Sequence, residues 1–74
     1  MSPKQPVVNA RQIIKALVKK GFVFDRQSGS HAIYMKASAR VIVPIHGKRD
    51  IAPGTLRQIL ADAQISFQEL ADLI

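Results

Sequence analysis

The hydrophobic period of this chain changes twice, and that change constrains the fold more than any single residue. After Asn9, the apolar residues Ala10, Ile13, Ile14, Leu17 and Val18 recur three and four apart, which predicts a helix with one buried stripe. Asn9 suits its N-cap, and Gly21 supplies a left-handed stop. From Phe22 the period drops to two. Residues 22–26, 31–36 and 40–45 read as strands, 27–30 as a turn, and 37–39 as the short connection of an antiparallel hairpin. Residues 46–50 read as a loop. Pro53 suits the first turn of a second helix with Leu56, Ile59, Leu60 and Ala63 on its buried side. Ser66-Phe67-Gln68-Glu69 is a capping box opening a short third helix that would bury Phe67, Leu70, Ala71 and Ile74.

That order predicts an α+β fold, α-β-β-β-α with a short extra C-terminal helix, the helices packed on one face of a three-stranded antiparallel sheet. A chain of 74 residues has room for one domain, assigned here to residues 9–74, behind a flexible N-terminal tail at residues 1–8 that carries Pro3 and Pro6 and no helical period. A hairpin turn centred between Ser38 and Ala39 would set Tyr34 opposite Val43, Lys36 opposite Val41 and His31 opposite His46. One sheet face then collects Ala32, Tyr34, Lys36, Val41, Val43 and Ile45, the other His31, Ile33, Met35, Ile42, Pro44 and His46. Both are apolar, so the pattern leaves open which face the helices cover. The uncovered one reads either as a protein-binding surface or as ordinary exposed apolar surface.

Charge is distributed unevenly. Residues 1–49 carry ten Lys and Arg and one acid, Asp25, for a net +9; residues 50–74 carry one Arg and four acids, for −3, and the whole chain is +6. Arg11, Lys15 and Lys19 lie four apart on one helix side, a like-charge arrangement that costs a few tenths of a kcal/mol per pair and suits an anionic partner. A basic surface of this density attracts nucleic acid, or else is simply a solvated surface. The chain has no cysteine, no apolar run near the roughly 18 residues of a membrane span, and no secretory signal at its start, so the expected setting is the cytoplasm, with no membrane.

The available chemistry is narrow. The basic half offers one carboxylate and the chain only two histidines, too few for a metal-dependent nuclease or a zinc site, so no metal or other cofactor is expected. Ser30 and His31 are sequence neighbours on a strand and point to opposite faces, which disfavours a Ser-His pair. Gly47-Lys48 lacks the remainder of a phosphate-binding loop. RNA, however, carries its own nucleophile, the 2′-hydroxyl. Its cleavage needs a base, an acid for the leaving 5′-oxygen, and cations around the phosphorane. Histidine can fill either proton role, and Lys and Arg the electrostatic one. His31, with Lys36, Lys48 and Arg49 as candidate neighbours, meets that list. Ser30 is a turn residue or hydrogen-bond partner. His46 is a second proton carrier, an RNA contact or a solvated strand end. Tyr34 either stacks a base or packs.

Four motifs, Leu17-x-x-x-Gly21-Phe22, Gly29-Ser30-His31-x-x-Tyr34, Val43-Pro44-x-His46-Gly47 and Gly54-Thr55-Leu56-x-x-Ile59-Leu60-x-x-Ala63-x-Ile65-Ser66, stand in an order and spacing that resembles the HicA (YcfA-like) toxins of prokaryotic type II toxin–antitoxin systems, over about residues 9–68. The resemblance implies a double-stranded-RNA-binding-like fold and a metal-independent endoribonuclease, an mRNA interferase that blocks translation and growth. It implies His31 as the catalytic histidine and a HicB-type antitoxin as partner. RNA contacts are expected at Arg11, Lys15, Lys19, Ser30, Lys36, His46, Lys48 and Arg49. The competing readings are a non-catalytic RNA- or DNA-binding module and a protein-interaction domain.

Overall fold

The computed structural model describes residues 6–74; the tail assigned to residues 1–8 falls largely outside them. The order is α1 (Ala10–Lys19), β1 (Val23–Ser28), β2 (His31–Lys36), β3 (Ala39–Pro44), α2 (Pro53–Ala63) and α3 (Phe67–Leu73). The sheet is antiparallel throughout, in the order β1-β2-β3. This is the α+β arrangement that the two period changes predict. No helix among the described residues is long and apolar enough to cross a membrane.

Local signals explain the helix ends. Asn9 accepts from the Gln12 amide at 3.0 Å while the Gln12 side chain accepts from the Asn9 amide at 2.9 Å, a reciprocal cap that satisfies two otherwise open donors. At the other end Gly21 takes φ 95°, so that Phe22 N donates to Leu17 O and Gly21 N to Val18 O, closing the last turn. The buried stripe of α1 is Ala10, Ile13, Ala16 and Leu17. It is centred on Ile13, which leaves the expected Val18 55% exposed and Ile14 only half-buried.

The helices cover the face made by Ala32, Tyr34, Val41 and Val43, all in the core with Leu17, Phe22, Leu56, Ile59, Leu60 and Leu70. Tyr34 therefore packs, edge-on to Phe24 at 5.7 Å between ring centroids. Val8, placed in the tail by its sequence, is buried as well, and its carbonyl accepts from Ile51 N at 2.8 Å; the folded chain begins before Asn9.

Three expectations need correction. The hairpin turn is a two-residue loop, Ala37-Ser38, with Ala37 at φ 52°, so Tyr34 pairs with Val41, Lys36 with Ala39 and His31 with Pro44 rather than His46. The register moves by two, which preserves both faces as predicted. β1 runs to Ser28 instead of ending at Arg26, and Asp25 is an extra residue in its ladder, between the Phe24–Tyr34 and Arg26–Ile33 pairs. That bulge brings Arg26 and Ser28 onto the open face beside Ile33 and His31. In α3, Leu70 is fully buried and Leu73 partly, whereas Ala71 and Ile74 are exposed. Ser66 accepts from the Glu69 amide at 3.0 Å, but the Glu69 carboxylate pairs with Lys20 instead of returning to Ser66. Lys19 Nζ donates to Leu73 O at 2.9 Å. Both contacts dock α3 on the end of α1.

Candidate active site

His31 opens β2 on the uncovered face, directly after the Gly29-Ser30 turn in which Gly29 takes φ 57°. Its ladder neighbours are Ser28 on one side and Pro44 on the other. The Ser30 carbonyl accepts from Ile45 N at 2.6 Å, which carries the pairing one step past β3 and aims the following loop back over His31. That loop, residues 45–52, is tied down at its far end. Asn9 and Asp50 form an isolated β-bridge, Ile51 N bonds to Val8 O, and Ile51 is buried.

The result is an open cleft of about 460 Å³ lined by His31, Ile42, Pro44, His46, Arg49, Asp50 and Thr55 among others. His31 and His46 do not pair in the sheet, yet both line this cleft. Arg49 joins them. α2 starts at the cleft wall with Ala52 as N-cap, Pro53 first, and no side chain capping its open amides. A helix start of this kind carries partial positive charge and suits an anion. The cleft lining thus gathers two imidazoles, a guanidinium and a helix start, together with the Asp50 carboxylate.

Other expected residues lie elsewhere. Lys48 is exposed in the same loop but does not line the cleft, and Ser30 contributes its carbonyl to the ladder. Lys36 is at the opposite end of β2 and on the other face from His31; its ammonium donates to Lys20 O at 2.7 Å and lies 6.0 Å from the Phe22 ring centroid. It is not a neighbour of His31. Five residues of extended strand, about 17 Å, separate them. Arg11 and Lys15 are exposed on α1, in the layer across the sheet from His31, and Lys19 is engaged with the end of α3. Asp50 and Thr55 line the cleft without having been singled out. The available signal for Thr55 was the run Ala52-Pro53-Gly54, a helix start with no capping side chain. Asp50 reaches the cleft through a long-range bridge that no local pattern announces. Among the described residues no three His, Cys, Asp or Glu side chains gather as a metal-ligand set.

A family model described as HicA toxin of bacterial toxin-antitoxin matches residues 10–65. The chain belongs to the HicA toxin family. The match runs from the first residue of α1 to just past α2, so it contains the whole sheet, the His31 turn and every cleft residue named above. A comparison with curated proteins finds no match. Membership in the HicA family makes this chain the toxin half of a toxin–antitoxin pair, and an antitoxin is its implied partner.

Proposed function

We propose that this HicA-family chain is a metal-independent endoribonuclease that cuts mRNA in the cleft between the open sheet face and the start of α2, with His31 as a catalytic acid or base. The observation that carries the reading is the sharing of one cleft by His31, His46 and Arg49 beside an uncapped helix start. A scissile phosphate seated there meets Arg49 and the α2 amides, which stabilise the charge that grows on the phosphorane oxygens. One imidazole takes the proton of the 2′-hydroxyl. The ribose oxygen then attacks phosphorus, the bond to the 5′-oxygen breaks, and a proton delivered to that oxygen completes the step, leaving a 2′,3′-cyclic phosphate and a 5′-hydroxyl. His46 is the second imidazole within the cleft and takes the complementary proton role. Arg11, Lys15, Lys48 and Arg49 supply long-range attraction for the polyanion. Cleavage of mRNA in the cytoplasm stops translation and growth, and a HicB-type antitoxin silences the toxin by covering this cleft.

The test is incubation of purified, antitoxin-free protein with a transcript in EDTA. Cyclic-phosphate ends are expected, and His31→Ala should lower the rate by about 10² to 10⁴. A transcript that stays intact but shifts on a gel would turn the reading into a non-catalytic RNA-binding module. Equal cleavage by His31→Ala and wild type would remove His31 from the chemistry. Co-expression of a HicB-type antitoxin that binds this chain should restore growth.

A further inference from the structure

A second, larger hollow of about 670 Å³ continues from the catalytic cleft along the open face, between β3 and α2. The two share Ile42 and Thr55. Its floor is apolar, with Met35 and Ile42 on the sheet, and its rim carries Arg40 from β3 and Gln58 and Asp62 from consecutive turns of α2. On β3, Arg40 and Pro44 share the open face four residues apart, about 13 Å, so the hollow begins where the cleft at His31 ends. Gln58 Nε2 donates to Asp62 Oδ1 at 2.9 Å, which orients the carboxylate, and Oδ2 has no partner among the described residues. Arg40 has no hydrogen-bond or ion-pair partner among the described residues.

We infer that this hollow is a base-recognition subsite for a guanine flanking the cleaved phosphate, with Asp62 and Arg40 as specificity-determining residues. The inference rests on the ribonuclease reading above and deepens it. Charge decides against a second phosphate, because Asp62 faces the hollow and the pair Arg40 and Asp62 is together neutral. A flat neutral base covers Met35 and Ile42 with its ring. Among the bases, guanine alone places two adjacent donors, N1–H and N2–H₂, beside an acceptor, O6. The donors match the Asp62 carboxylate, which Gln58 holds in place, and O6 with N7 matches the fork of a guanidinium. Adenine and cytosine each offer that carboxylate one donor with an acceptor beside it, and uracil offers one donor between two acceptors.

The experiment is to sequence the ends produced on one long transcript by wild type, Asp62→Asn and Arg40→Gln, with melting temperatures measured in parallel. Wild type should cut guanine-flanked linkages on the order of tenfold faster than others. Either substitution should bring that ratio close to one while the melting temperature holds. Cuts with no base bias, a bias toward another base, or a guanine bias that survives both substitutions would each overturn the subsite and leave the ribonuclease reading standing. Loss of antitoxin binding by both variants with an unchanged guanine bias would also overturn it, assigning the rim to the protein partner. A wild-type protein that cuts no RNA would remove both readings together.

Discussion

The two faces of the sheet are drawn from the same three strands and behave as different materials. On the covered face Val41 and Val43 have no exposed surface, and Ala32 and Tyr34 are buried. On the open face His31, Arg40 and Ile42 are exposed, Ile42 by 43%, whereas Ile33, in the central strand, is buried. A strand turns successive side chains to opposite sides, so the single step from His31 to Ala32 or from Ile42 to Val43 crosses from exposed to buried surface. On the proposed function, stability and activity are separable at adjacent positions, which is the property a toxin needs if its reactive groups are to be covered and uncovered by a partner without disturbing its core.

The sharpest contrast is at the start of β2. His31→Ala should reduce RNA cleavage by about 10² to 10⁴ with little change in melting temperature, because the side chain is exposed and has no partner among the described residues. Ala32→Leu, one residue on, should do the reverse. It forces three extra carbons into a site only 2% exposed, costing about 1–3 kcal/mol in denaturant unfolding, while residual folded protein keeps its activity. Equal activity losses in the two variants would mean that the faces are not independent. Val43→Thr carries the same contrast to β3, where a hydroxyl placed in the core without a partner should cost about 1–3 kcal/mol by chemical denaturation.

A smaller effect is expected at the turn that joins β1 to β2. Gly29 sits at φ 57° with nothing within 4 Å of where a Cβ would stand, so Gly29→Ala meets strain and no clash. About 1 kcal/mol is expected from calorimetry. If the turn holds His31 in place, cleavage should fall further than the lost stability accounts for.

The helices, the strand boundaries of β2 and the two sheet faces were legible in the sequence because each depends on local chemistry or on parity: the Asn9 cap, the Gly21 stop, the alternation from His31 to Lys36. Register was not. A shift of two residues leaves the hydrophobic pattern identical, and nothing about Ala37 announces that an alanine accepts a left-handed backbone. The bulge at Asp25 was hidden for a related reason, since β1 is exposed along its whole length and its pattern carries no penalty for an inserted residue. In the cleft, His31, His46 and Arg49 were legible as residue types suited to phosphate. Asp50 was not, because its position depends on the bridge to Asn9, some forty residues earlier. Lys19 and Lys36 looked like free cations for the same reason in reverse: α3 and the Lys20 carbonyl that engage them are distant in sequence.

The finest distinction falls at Ile42, between two buried valines. Ile42→Thr keeps β-branching, and thus the strand preference, while removing part of an exposed apolar side chain, so its stability should change by no more than about 0.5 kcal/mol. Its neighbour Val43, given the same threonine, should lose several times that. Ile42 also belongs to the linings of both the cleft at His31 and the adjoining hollow. Its replacement should therefore raise KM for RNA at constant kcat, the signature of lost uniform binding. A stability loss at Ile42 as large as at Val43 would show that the open face is packed in solution, and the division of labour between the faces would fall with it.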